Sequence, residues 1–186
     1  MSSFEKASKV FEHSFLKDDY FESISSEFVK NTLLKTIQNE ETALVFLLGD
    51  PGVGKSYMLQ LLKEELTPTH RILMAAEPFG TAESFLQFLL SDHSYDADLS
   101  LSQLKEHAIA QYKSTPHVIM IDEAQLLNES ILEYIRVLSD SKAFRFILSM
   151  HREDGEAVLK KPHFASRDHR VVTIGLLEAN EVKHYL

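Results

Sequence analysis

An apolar run that leads directly into a glycine-rich loop places the strongest constraint on how this chain of 186 residues folds. Residues 43–48 read Ala-Leu-Val-Phe-Leu-Leu without polar alternation, which predicts a strand buried on both faces. The next eight residues, Gly49 to Ser56, read Gly-Asp-Pro-Gly-Val-Gly-Lys-Ser and fit the pattern G-x-x-x-x-G-K-[ST]. Glycine permits turns in which successive backbone N–H groups face one anion, and a helix expected from Lys55 adds its positive end. The pattern therefore predicts a phosphate site between a strand and a helix.

The last two residues of this loop suit a nucleoside triphosphate. Lys55 is placed to reach the terminal phosphates, and the Ser56 hydroxyl can join the ligand shell of a magnesium ion. The alternative is an ordinary glycine-rich turn between a strand and a helix. The segment expected to bind the cofactors, ATP and Mg²⁺, consists of Gly49, Asp50, Pro51, Gly52, Val53, Gly54, Lys55, Ser56 and Tyr57.

The composition fits one globular domain without covalent cross-links. The chain is 44% hydrophobic and 25% charged, carries a formal net charge of −9 and contains no cysteine. These values exclude disulfides and a cysteine-based zinc site, and they do not support DNA binding on a broad basic face, although a local groove stays open. The apolar runs are far too short for a membrane segment, and the N-terminus lacks the apolar part of a signal peptide. We therefore expect a cytoplasmic protein.

Predicted strands and helices alternate along the chain. Strands are predicted at 43–48, 70–75, 117–121, 144–149 and 171–174. Helices are predicted at 25–38, 55–66 and 126–139. Two further helices are predicted, one that Thr81 caps and one that runs from a capping box of Ser100 and Gln103 to residue 112. Such alternation favours a parallel sheet with helices on both faces, where ligands bind beyond the carboxyl ends of the strands. The glycine loop, the acids at 122–123 and residues 149–151 each end a predicted strand, so we expect them at one edge.

Asp122 and Glu123 directly follow the buried run at 117–121. Two carboxylates at the end of a buried strand are costly unless a cation or a reaction uses them. Asp122 is placed to bind the shell of the magnesium ion through water, opposite Ser56, and Glu123 is placed to orient or deprotonate an attacking water. The alternative is that the pair caps the following helix. The glycine loop upstream favours the first interpretation.

Together the two motifs resemble the Walker A and Walker B motifs of the AAA+ ATPases. The likeness is carried by Gly-Asp-Pro-Gly-Val-Gly-Lys-Ser and by Val-Ile-Met-Ile-Asp-Glu-Ala-Gln. The Asp-Glu-Ala-Gln ending, and the following Leu-Leu-Asn-Glu-Ser-Ile-Leu-Glu-Tyr-Ile-Arg-Val-Leu-Ser-Asp, are similar to the general secretion pathway protein A family and related pilus-biogenesis ATPases. The resemblance covers most of residues 25–186. Transposition and helicase-loading ATPases share the same core.

The resemblance implies an α/β fold, a three-layer α/β/α P-loop NTPase with a five-stranded parallel sheet in the order 5-1-4-3-2. Residues 1–24 are then expected to form an N-terminal segment that packs on the core through Phe11, Phe15 and Phe21. Residues 25–175 would form the AAA+ core. Residues 176–186 would form the start of a helical lid, and the rest of that lid is expected to be absent or truncated. Because lid closure excludes water and supplies contacts, we expect low basal hydrolysis from this chain alone.

Two further site positions are assigned by the resemblance. The family places a polar sensor residue at the end of the fourth strand, where this chain has His151, with Ser149 as the second choice. The alternative for His151 is a solvated histidine at a strand end. Arg167, in the run Phe-Ala-Ser-Arg, resembles the arginine that reaches the nucleotide of a neighbouring subunit, with Arg170 as a substitute. The alternative is a surface arginine paired with Asp168 or another acid.

The expected function is Mg-ATP binding and hydrolysis that drives or gates a partner assembly of the secretion or pilus-biogenesis type. The expected catalytic residues are Glu123, Lys55, Arg167 and His151, and the expected magnesium ligands are Ser56 and Asp122. The resemblance implies a homo-oligomer and a protein partner in an envelope or DNA-processing assembly. The alternative is an ATP-binding adaptor with little hydrolysis, of the transposition or helicase-loader type. A nucleoside kinase is disfavoured because the sequence offers neither an acceptor site nor a lid arginine cluster.

Overall fold

One five-stranded parallel sheet organises the computed structural model, which describes residues 23–39, 42–91, 93–95, 98–113 and 117–176. The strands are β1 (Leu44–Leu48), β2 (Arg71–Ala75), β3 (His117–Ile121), β4 (Phe144–Met150) and β5 (Arg170–Thr173). Their order across the sheet is β2-β3-β4-β1-β5, with every neighbouring pair parallel. The predicted order, 5-1-4-3-2, is confirmed.

Helices of the described residues cover both faces of this sheet. They are α1 (Ile24–Gln38), α2 (Lys55–Leu66), α3 (Ala82–Leu89), α4 (Leu101–Tyr112), α5 (Glu129–Asp140), α6 (Arg152–Leu159) and α7 (Pro162–Ala165), with a 3₁₀ turn at Ala124–Leu126. None of the helices described is long and apolar enough to cross a membrane.

Alternate residues of the strands pack into two hydrophobic cores, one on each face of the sheet. In β1, Val45 and Leu47 pack with α1 and α2, whereas Phe46 and Leu48 pack with α3, α4 and α5. All of β1 is buried. A strand buried on both faces has no polar side to show, which is why its sequence reads as a continuous apolar run. The predicted three-layer α/β/α architecture is therefore confirmed.

Side-chain caps determine where several helices begin. Ser100 with Gln103 forms the predicted reciprocal capping box at α4, and Thr81 caps α3 as predicted, in a reciprocal box with Ser84 that was not predicted. The helix predicted from residue 126 begins three residues later, at Glu129. The reason is Asn128, whose side chain accepts a hydrogen bond from the Ile131 N–H and ends the preceding 3₁₀ turn.

Two features of the helices differ from the sequence interpretation. The helical period puts Phe28 on the apolar side of α1, and this is wrong, because its side chain is 72% exposed whereas Val29, Leu33 and Ile37 are buried. Helix α6 is not predicted at all, since its buried residues, Gly155 and Val158, give too weak an apolar period. The expected packing of residues 1–24 and the expected lid segment at 176–186 lie outside the described residues, apart from 23, 24 and 176.

Candidate nucleotide site

The loop between β1 and α2 turns through left-handed backbone at two glycines. Gly52 has a φ of 80° and Gly54 a φ of 93°, and Gly54 immediately precedes the first residue of α2. Residues with a Cβ rarely adopt this conformation, so glycine is required at both positions. Helix α2 begins without a side-chain cap, so its first N–H groups are left to an anion. The loop therefore has the geometry of a phosphate cradle.

Lys55 lies buried behind this loop, with only 5% of its surface exposed. Its Nζ donates hydrogen bonds of 3.0 Å to the Gly49 carbonyl oxygen and 3.0 Å to the Asp50 carbonyl oxygen. Among the described residues, no carboxylate lies within ion-pair distance of this ammonium group. A buried charge without a counter-ion is costly, so the position suits an anionic ligand.

Asp122 directly follows β3 and is also buried, with 5% of its surface exposed. Its Oδ1 accepts a hydrogen bond of 3.0 Å from the Glu123 N–H, and its own N–H donates to the Ala75 carbonyl oxygen at 2.9 Å. In the part of the chain that the structure describes, no lysine, arginine or histidine forms an ion pair with it. The carboxylate therefore lacks a cation, which is the requirement that Mg²⁺ would satisfy.

A buried hydroxyl lies near the end of the neighbouring strand. The β3–β4 register pairs Ile121 with Leu148, so continuing it by one residue puts Asp122 and Ser149 at the same level of the two neighbouring strands. Ser149 is fully buried, and its Oγ has no hydrogen-bond partner among the described residues. Half-buried Ser56, on the first turn of α2, supplies a second hydroxyl. Carboxylate and hydroxyl oxygens are the donors that hydrated Mg²⁺ takes, so these residues fit the ion.

Glu123 adopts left-handed backbone, with a φ of 50° and a ψ of 36°, although it carries a side chain. Its carboxylate accepts a hydrogen bond from Gln125 Nε2, and its Oε2 lies 3.6 Å from His151 Nε2. Neither acid caps the next helix through its side chain, because Asn128 caps α5. The capping interpretation is therefore wrong. Strained backbone of this kind concentrates at functional sites.

The end of β4 joins the loop and the acid pair. The Gly49 N–H donates to the Met150 carbonyl oxygen at 3.3 Å, and Arg152 Nε lies 3.9 Å from Asp50 Oδ1. His151, between Glu123 and Asp154, approaches the Asp154 carboxylate to 3.7 Å. The structure thus brings the loop, the acid pair and residues 149–151 together at the carboxyl edge of the sheet, as expected. Sequence reasoning assigned no role to Gln125 or Arg152, since neither position carries a signal before the strands are aligned.

Arg167 lies at the opposite edge of the sheet. It lines a cavity of 460 Å³ with Ala43, Asp140 and Phe144, at the amino ends of β1 and β4. Its Nη1 forms an ion pair with Asp140 on α5, so the acid that pairs with it is Asp140 rather than Asp168. A five-residue strand spans about 16 Å, which separates Arg167 from the loop of its own chain. Arg170, the substitute candidate, begins β5 at the same edge.

The sequence matches the AAA domain family over residues 38–157. The chain belongs to this family. The matched range contains the loop, the acid pair and β4, whereas Arg167 and β5 lie beyond it. The match does not extend to the general secretion pathway protein A family, so that finer resemblance stays a prediction. A search of the curated proteins found no match.

Several solved structures have a similar fold. Cdc6p from Pyrobaculum aerophilum has a TM-score of 0.71 at 14% identity, over 92% of this chain and 51% of its own. The Aeropyrum pernix ORC1 protein, solved in complex with DNA, has a TM-score of 0.69 at 12% identity, over 91% and 50% of the two chains. Drosophila ORC bound to DNA has a TM-score of 0.61 at 14% identity, over 86% and 48%. The present chain thus spans about half the length of these proteins.

Proposed function

We propose that this AAA domain binds Mg-ATP between the glycine loop and the acid pair and hydrolyses its terminal phosphate bond. The observation that carries the proposal is a pair of complementary, buried and uncompensated charges at one edge of the sheet. Lys55 lacks an anion and Asp122 lacks a cation among the described residues. A triphosphate with its magnesium ion supplies both.

Each residue of the site then has a distinct role. The backbone N–H groups of the loop and of the first turn of α2 hold the phosphates, and Lys55 faces the terminal ones. Ser56 and Asp122 hold the magnesium ion, which when bound neutralises charge on the phosphates. Glu123 accepts a proton from the attacking water, and its position at the mouth of the site, 38% exposed, gives water access.

His151 and Arg167 would contact the nucleotides of two different chains. His151 Nε2, at the end of β4, is placed to contact the terminal phosphate of its own nucleotide, whereas Ser149 is buried at the magnesium side. Arg167 acts on the nucleotide of a second copy, because it lies at the amino edge of its own sheet. Guanidinium groups suit phosphate oxygens and transition-state charge. The proposed working form is therefore a homo-oligomer.

Hydrolysis would drive or gate a partner assembly in the cytoplasm, the compartment that supplies Mg-ATP. The Asp-Glu-Ala-Gln form at 122–125 supports a secretion or pilus-biogenesis partner. The DNA named with two structures of similar fold makes a DNA-processing assembly the other partner to test.

A second candidate function is an ATP-binding adaptor that hydrolyses little. The observation favouring it is that the Glu123 carboxylate is already engaged by Gln125 and approached by His151. A base held in this way turns over slowly until a partner rearranges it.

Phosphate release by the unchanged chain and by Glu123→Gln separates the two functions. The assay is run over a range of protein concentrations, with and without duplex DNA, and Glu106→Gln on the exposed side of α4 is the matched control. If the chain is a hydrolase, the unchanged chain and the control should release phosphate, whereas Glu123→Gln should bind nucleotide without releasing phosphate. Nucleotide binding with equal, background phosphate release from all three proteins would support the adaptor instead.

A further inference from the structure

We propose that Gln125 is a positioning residue that holds the Glu123 carboxylate and links it to the end of β4. This inference rests on the proposed hydrolytic function, because it assigns Glu123 as the base. It concerns a side chain that the motif interpretation leaves without a role.

The side-chain amide of Gln125 bridges two strand ends. Its Nε2 donates to Glu123 Oε2, beyond the end of β3, and its Oε1 accepts a hydrogen bond of 3.4 Å from the His151 backbone N–H, beyond the end of β4. One amide group thus satisfies a carboxylate on one side and a main-chain donor on the other. An amide is suited to this because it carries a donor and an acceptor together.

The turn that carries Gln125 is anchored in the hydrophobic core. Gln125 lies in the 3₁₀ turn at Ala124–Leu126, whose first residue, Ala124, is fully buried in the core against α5 and β4. The turn is closed by the Leu126 N–H, which donates to the Glu123 carbonyl oxygen at 3.0 Å. Glu123 itself has left-handed backbone, a conformation that persists in a residue with a side chain when the surrounding structure fixes it.

The bridge has two consequences for catalysis. The amide engages Oε2 of Glu123, which leaves Oε1 as the oxygen that accepts a proton from water. The same amide is also hydrogen-bonded to the His151 backbone N–H. If the terminal phosphate displaces the end of β4, Gln125 moves with it and so moves the Glu123 carboxylate. Gln125 therefore changes how fast bound ATP reacts and not how tightly it binds.

The test compares Gln125→Glu and Gln125→Ala with the control Gln111→Glu at the exposed end of α4. Gln125→Glu keeps the side-chain length but removes the donor and places a second carboxylate beside Glu123. Single-turnover hydrolysis gives the rate of the chemical step, and titration with a fluorescent ATP analogue gives the affinity. Both Gln125 variants should lose about tenfold or more in the rate constant, with affinity unchanged within about twofold, and the control should lose neither.

A second readout does not depend on turnover. Amide hydrogen exchange at His151 should accelerate by about fivefold or more in Gln125→Ala, because that N–H loses its acceptor, and should stay unchanged in the control. Unchanged exchange at His151, a wild-type rate constant in Gln125→Glu, or a rate loss matched by an equal loss of affinity would each overturn the proposal. Absence of Glu123-dependent turnover in the unchanged chain would instead overturn the hydrolase function, while exchange at His151 still decides whether the bridge exists.

Discussion

At the scale of single residues, the sequence predicts the identity of the site better than its geometry. The glycine loop with Lys55 and the acids at 122–123 are predictable directly, because each follows a buried apolar run and uses residue types that ordinary packing rarely places there. The contacts of Gln125, and the Asp140 partner of Arg167, are not predictable in this way. These contacts depend on which strand ends are neighbours, and strand order is not a local property of the sequence.

Gly49 offers a test of how tightly the loop is packed. A Cβ on Gly49 would lie 2.6 Å from the Ile174 carbonyl oxygen and 2.8 Å from Val53 Cγ2, and the backbone oxygen cannot move without shifting β5. Gly49→Ala should therefore lower the free energy of unfolding by about 1–3 kcal/mol. Chemical denaturation measures this. The control is Gly80→Ala, where a Cβ meets nothing within 4 Å, and an equal effect of both substitutions would contradict the packing.

Ser149→Ala tests the proposed magnesium site. The buried hydroxyl of Ser149 has no partner among the described residues, so Ser149→Ala should leave the ligand-free chain unchanged or about 1 kcal/mol more stable. The same variant should gain less thermal stability from Mg-nucleotide than the unchanged chain does, because one oxygen near Asp122 is gone. Melting curves with and without Mg-nucleotide measure both effects. An equal ligand-induced shift in the two proteins would remove Ser149 from the magnesium environment.

At the scale of helices and strands, prediction from sequence succeeds where the pattern is continuous and fails where a cap or a weak period decides. Helix α2 has its predicted bounds, Lys55–Leu66, because a glycine turn begins it and Pro68 follows its end. The predicted start of α5 is wrong because the apolar residues before Asn128 continue the helical period into the 3₁₀ turn. Helix α6 escapes prediction because only two of its residues are buried.

The Asn128 cap gives a measurable contribution to α5. Its Oδ1 accepts from the Ile131 N–H at 3.0 Å, and its Nδ2 donates to the Gly80 carbonyl oxygen at 3.1 Å, which ties α5 to the segment before α3. Asn128→Ala should cost about 1 kcal/mol of the free energy of unfolding. Ser130→Ala, on the exposed first turn of α5, is the control and should change it by no more than about 0.5 kcal/mol. Equal denaturation midpoints for Asn128→Ala and the unchanged chain would contradict the role of the cap.

At the scale of the whole molecule, the length of the strands separates the candidate nucleotide site from Arg167. The candidate nucleotide site lies at the carboxyl edge, and Arg167 lies at the amino edge beside Asp140. The alternation of apolar runs predicts the parallel sheet and its carboxyl-edge site, whereas the order of its strands required the family resemblance. Partner and assembly are properties of surfaces, which periodicity in one sequence does not encode.

The separation of the two edges makes a prediction about assembly. If Arg167 acts on a second copy, hydrolysis per chain should rise with protein concentration, and Arg167→Ala should abolish that rise while keeping nucleotide affinity within about twofold. Lys113→Ala, at the exposed end of α4, is the control. Phosphate release measured over a concentration series checks it. A full rate in the dilute, monomeric chain, or an unchanged rise in Arg167→Ala, would contradict the role in trans.

Calorimetric titration with a non-hydrolysable ATP analogue measures whether buried Lys55 and buried Asp122 bind one triphosphate together with its magnesium ion. The titration is made with and without Mg²⁺, into the unchanged chain, Lys55→Ala and Asp122→Asn. We predict one saturable site in the unchanged chain, loss of binding in Lys55→Ala, and loss of the magnesium dependence in Asp122→Asn. A flat titration of the unchanged chain, or equal binding by Lys55→Ala, would contradict this prediction.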